Sequence, residues 1–101
     1  MAFEFVGKTY RFDYDGFVAE DHFSQDEVHF EVVGGPITGL RGSARYTARE
    51  VAKGIYAISW QEADGSTVVH VDNFTDGVSL SYFTDASSNF YQMHGTLSAI
   101  G

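Results

Sequence analysis

Glu62 is the residue whose setting most invites chemistry. It ends the run Ile55 to Glu62, where Tyr56, Ile58, Trp60 and Glu62 alternate with Ile55, Ala57, Ser59 and Gln61. In a strand, alternate side chains share a face. If the tyrosine–tryptophan face turns inward, a carboxylate enters an apolar space. Burial there disfavours its charged form and suits it to acid–base work. The same spacing allows Glu62 to have reached the strand end and to point at solvent, and both readings stay open.

Tyr10, Phe12 and Tyr14 form an aromatic stripe of the same period. They are either plain core or the wall of a pocket in which the Tyr14 hydroxyl orients a ligand oxygen. Arg41 follows the stretch Gly34 to Leu40 and stands at a strand start. From there a guanidinium can reach into a barrel mouth and grip a carboxylate bidentately, or it can form an ordinary surface ion pair. His70 and Asp72 lie two apart and share a face with Val68 and Phe74. Such a pair can be a general base with its orienting partner, two metal ligands, or a hydrogen-bonded structural pair. Two ligands fall short of a catalytic zinc site, which needs three, so no metal is expected.

These residues sit in short alternating segments separated by turn signals. Thr9 to Tyr14 and Phe17 to Phe23 flank Asp15-Gly16, a strong hairpin signal. Glu27 to Val33 follows and is broken by Gly34-Gly35-Pro36. Thr67 to Phe74, Val78 to Thr84 and Phe90 to Leu97 continue the pattern after Ile55 to Glu62. Residues 41–53 read equally well as a strand or as a capped short helix. The total is about eight strands. That predicts one all-β domain over residues 1–101, a small closed antiparallel up-and-down barrel. Eight strands enclose an interior that side chains fill or that holds one small ligand.

Composition narrows the partners. Six Lys and Arg stand against fourteen Asp and Glu, a formal charge of -8. Such a surface repels nucleic-acid phosphates and anionic lipids, so neither partner is expected. There is no cysteine, hence no disulfide framework and no thiolate nucleophile. With no apolar run of membrane-spanning length and no leader pattern at the N-terminus, the expected location is cytoplasmic. No dinucleotide fingerprint, phosphate loop or nucleophile elbow occurs, and no cofactor is expected.

The run Gly54 to Glu62 with Gly65-Ser66-Thr67-Val68 resembles the central hairpin of phenolic acid decarboxylases and of the MoaF-like proteins of the calycin group. Phe5-Val6-Gly7-Lys8-Thr9-Tyr10 and the glycine stretch before Arg41 fit the same pattern. Val69 to Phe74 and His94-Gly95-Thr96-Leu97 look more like the MoaF-like branch. The resemblance implies a lipocalin-like barrel and a strand over residues 41–53. It implies a pocket in which Glu62, Arg41 and Tyr14 fall on the decarboxylases' glutamate, arginine and one of two tyrosines. The second tyrosine falls on Phe12, which has no hydroxyl, and nothing matches the decarboxylases' C-terminal extension.

The expected function is binding of a small, largely apolar molecule with one polar or anionic end inside the barrel. Tyr10, Phe12, Tyr56, Ile58, Trp60, His70 and Asp72 would hold it. The alternative is a cofactor-free lyase, isomerase or cyclase in which Glu62 is the general acid or base and Arg41 and Tyr14 orient a carboxylate or carbonyl. A third possibility is a fully packed barrel used for association, with a homodimer as the commonest assembly.

Overall fold

The computed structural model describes residues 3–100. Eight strands follow one another: β1 (Lys8–Asp13), β2 (Val18–Phe23), β3 (Glu27–Gly34), β4 (Arg41–Ala52), β5 (Ile55–Gln61), β6 (Thr67–Asn73), β7 (Val78–Thr84) and β8 (Phe90–Ile100). Each pairs antiparallel with its chain neighbour, and β8 returns to pair with β1, closing the barrel. Residues 41–53 therefore contribute a strand over most of their length, as the family resemblance implies.

Local chemistry explains the turns. Tyr14 N–H donates to the Phe17 carbonyl at 2.9 Å, leaving Asp15 and Gly16 as a two-residue loop. Both have positive φ, 61° and 95°. That is the backbone that matches the twist of the flanking strands, and Asp-Gly tolerates it.

Closure converts the two-residue period into inside and outside. Val28, Phe12, Phe23 and Ile58 are fully buried, while Arg11, Glu31 and Arg45 face water. Arg11 meets Glu20 across the outer wall at 2.7 Å. The interior has two unlike ends. At one, the N-terminal segment folds under the barrel and Phe5 becomes a plug with no exposure. Its ring stacks on Phe74 at 5.3 Å and meets Phe23 and Tyr56 edge-on at 5.0 and 5.2 Å. Tyr10 packs edge-on against Phe74 in the same cluster. The other end is open.

Two glycines answer to close packing. At Gly95 on β8, a Cβ would run into the Asp13 carbonyl and lie 2.9 Å from the Tyr14 Cα. Only a residue without Cβ lets the end of β1 lie this close. At Gly42 the obstacle is the Phe30 ring tip at 2.9 Å, which can swing toward the open end. Gly95→Ala is therefore expected to cost about 3 kcal/mol and Gly42→Ala under about 1 kcal/mol. Urea denaturation of the two variants measures the contrast; equal losses would contradict the assignment of the seam.

Candidate functional site

The open half of the barrel holds a cavity of about 580 Å³. Its walls are largely apolar and aromatic: Phe12, Phe17, Val32, Trp60, Val68 and Phe83. The mouth is framed by Pro36, Ile37 and Leu40 from the β3–β4 loop and by Asp64 and Asp85 from the next two loops at that end. Ile37 and Leu40 are half exposed there, at 49% and 52%. Size and lining match ordinary small-molecule sites.

Midway down the barrel lies a polar layer. Asp72 on β6 has no exposure, and its carboxylate is held on both sides. The Ser79 hydroxyl on β7 donates to Oδ1 at 2.6 Å. The Tyr14 hydroxyl shares a hydrogen bond with Ser79 Oγ at 2.8 Å. On the other side, Asp72 Oδ2 lies 3.2 Å from Nδ1 of His70. The His70 ring faces the cavity between Phe12 at 4.9 Å and Trp60 at 5.1 Å between centroids. Asp72 thus fixes the His70 ring and, by accepting at Nδ1, leaves Nε2 as the nitrogen free to meet a ligand.

Asp21 on β2 completes the layer. Its side chain is only 2% exposed, and that surface lines the cavity. No side-chain hydrogen bond or ion pair among the described residues engages it. Burial pushes its carboxyl up to about 7, with Asp72 and Glu62 adding to the rise and His70 opposing it. For His70, burial pulls the imidazole down, but the field and hydrogen bond of Asp72, with Asp21 behind them, carry it above its usual range. Burial, with the Asp72 charge, also holds the Tyr14 phenol firmly protonated. At the mouth, Glu62 is half-buried and accepts a hydrogen bond from Trp60 Nε1 at 3.2 Å. Burial raises its carboxyl, the Trp60 bond opposes this, and nearby Asp64 adds to the rise.

Glu62, Tyr14, Phe12, Trp60 and His70 therefore share one cavity, with Asp72 directly behind His70. Other expected members lie elsewhere. Tyr10, Tyr56 and Ile58 are buried but do not line the cavity; the two tyrosines pack at the plugged end. β1 and β5 both run from the closed end to the open one, so only the later residues of each inward stripe reach the cavity. Arg41 does not reach the mouth. Gly42 is the cross-strand partner of Phe30 and turns inward with it, so Arg41 turns outward beside Glu31. It lines a separate shallow groove with Glu20, His22 and His29.

Asp21 and Ser81 are cavity residues that spacing analysis passed over. A signal for Asp21 existed: Ala19, Asp21 and Phe23 alternate with Val18, Glu20 and His22. The charge on both faces hid which one was inner.

Asp21 also makes stability depend on pH. Between the usual carboxyl value and about 7, folded Asp21 keeps a proton that the unfolded chain has released. Stability is therefore present in acid and falls as pH rises toward 7, by on the order of 4 kcal/mol in full. His70, also raised, adds a loss in the same direction above its unfolded value. Asp21→Asn removes the first contribution. Relative to wild type, the variant is expected to gain about 3 kcal/mol in unfolding free energy between about pH 5 and pH 8. Urea titrations at the two pH values check this; parallel pH profiles would refute it.

Comparisons with known proteins fit this architecture. A crystal structure from Burkholderia vietnamiensis, named "putative beta-lactamase", superposes with a TM-score of 0.97 at 39% sequence identity, covering 99% of each chain. No curated protein matches the chain. The model of the family described as MoaF-like matches residues 6–98, nearly the whole barrel. The chain belongs to the MoaF-like family.

Proposed function

We propose that the chain binds one small, largely apolar organic molecule in the open half of its barrel. The molecule's body contacts Phe12, Phe17, Trp60 and Val68, and its polar end reaches the layer of Asp21, His70 and Tyr14. The observation that supports this is a largely apolar cavity of about 580 Å³ with Asp21, His70 and Tyr14 clustered at its floor. Pockets of this kind orient a ligand by a few placed polar groups and bind it by apolar contact. Arg41 lies outside, and no Lys or Arg among the described residues lines the cavity, so His70 is the basic side chain placed to meet the molecule's polar end.

A second reading, a cofactor-free lyase or isomerase, is favoured by one observation. Two carboxyl groups facing the cavity, Asp21 and Glu62, are both raised toward the range useful for proton transfer. In this reading Glu62 or Asp21 takes a proton from the bound molecule, and Tyr14, whose own proton is directed to Ser79, offers only an acceptor oxygen. Beta-lactam hydrolysis, suggested by the Burkholderia relative's name, has no such observation. The chain has no Ser-x-x-Lys spacing. No group of three or more His, Cys, Asp or Glu among the described residues is set to hold a metal ion.

Trp60 in the cavity wall supplies the probe. Small apolar molecules are expected to change its fluorescence saturably, and Ala19→Trp, which fills the cavity, to abolish binding with the far-ultraviolet spectrum kept. Unchanged binding in that variant would remove the cavity from the function. Proton-transfer chemistry is read separately. Bound molecules recovered from heavy water should carry deuterium at carbon if the second reading holds, and Glu62→Gln or Asp21→Asn should stop the exchange. Recovery without deuterium favours binding alone.

A further inference from the structure

We propose that the cavity is built for a cation: a protonated amine carried on a small aromatic or aliphatic body, with Asp21 receiving the ammonium group. This rests on the reading of the cavity as a ligand site and names the class of ligand.

Three independent observations lead to it. The first is the charge around the cavity. Asp21 lies at its floor, and Glu62, Asp64 and Asp85 lie at its mouth; no Lys or Arg among the described residues lines it, and His70, the basic side chain on its wall, is matched by Asp72 behind it. A cleft with low-dielectric walls and an excess of one sign of charge concentrates the opposite charge. The second is the state of Asp21. Its neighbours are bonded elsewhere: His70 bonds Asp72 through Nδ1, and Ser79 bonds both Asp72 and Tyr14. Asp21 is left buried, facing the cavity, without a hydrogen-bonding side chain or counter-ion of its own. A buried carboxyl with no partner is costly to ionise, and an ammonium arriving from the cavity supplies that partner. The third is the walls. Phe12, Tyr14, Phe17 and Trp60 present aromatic rings to the same space, and ring faces attract ammonium groups most strongly where water is excluded.

The chemistry fixes the pH behaviour. The groups facing Asp21 are His70 and Asp72 from β6, Glu62 from the end of β5, and Tyr14 from the end of β1. Tyr14 stays protonated throughout, and His70 with Asp72 forms an ion pair when the imidazole is charged. Asp21 holds its proton until about pH 7, so ammonium binding below that value must expel a proton. Affinity for an amine should therefore rise as pH increases toward 7 and level off above it. A neutral ligand that accepts a hydrogen bond from protonated Asp21 shows the opposite slope.

Three probes of one shape test this: benzylamine, benzyl alcohol and benzoate, titrated against the intact protein by calorimetry and Trp60 fluorescence. At about pH 8 benzylamine is expected to bind at least about tenfold more tightly than benzyl alcohol, and benzoate most weakly. Benzylamine affinity should rise on the order of twentyfold between about pH 5.5 and 7.5. Asp21→Asn should bring amine and alcohol to within about twofold of each other, while Arg41→Ala, on the outer wall, leaves their ratio unchanged. If Asp21→Asn does not fold, the charge series and pH slope in the wild type decide the matter. Equal binding of amine and alcohol would overturn the cation assignment and leave the ligand site standing. Tightest binding of benzoate would overturn the assignment of the charges. No binding of any probe would overturn both the assignment and the site.

Discussion

The hydrogen-bonded ladder between the first and last strands is the constraint on which everything else rests. β1 and β8 pair from Thr9–Ile100 to Asp13–Thr96, and that pairing turns a meander of hairpins into a closed wall. Only then do alternating side chains acquire an inside. Asp72, Ser79 and His70 would otherwise stand on one face of an open sheet, where water competes for every hydrogen bond. The seam is tight enough at its end that Gly95 lies against the backbone of Asp13 and Tyr14. Tyr14 is carried inward from that point to the Ser79 hydroxyl, so closure and the polar layer are one arrangement.

The layer itself balances two opposing effects. Removing Asp72 from water is unfavourable, but both its oxygens are engaged, one by Ser79 and the other by His70. A fully bonded buried group rigidifies its surroundings. Asp21 is the exception, and the barrel tolerates it because a carboxylic acid can keep its proton. The interior therefore contains one carboxyl group that burial pushes up to about 7.

Much of this architecture could be read before any coordinates. Ile55 to Glu62 alternates sharply, Asp15-Gly16 demands a turn, and the count of strands pointed to a closed barrel. β4 resisted because Ala44 and Ala48 on its inner side are small and Glu50, on that same side by its pairing with Tyr56, is charged, which gives a weak contrast between faces. The site was legible in part, for a definite physical reason. Period two tells which residues share a face; it says nothing of height along the barrel. Tyr10 and Phe12 look equivalent in sequence, yet one packs in the plug and the other borders the cavity. Arg41 was misjudged because the face of a strand's first residue depends on its partner strand, here through Phe30 and Gly42. Asp21 was overlooked because Glu20 and His22 flank it, and no local rule says which of three polar neighbours turns inward.

The plug made by Phe5 has a kinetic meaning. With Phe74, Phe23 and Tyr56 packed around that ring, the described residues close that end of the interior and leave the mouth at the other. The half-exposed Ile37 and Leu40 form the sill of that mouth. The buried polar floor and the half-exposed apolar sill are thereby formed by different residues. Under the proposed reading the floor would meet a ligand's charge and the sill would govern its departure, so one could change without altering the other.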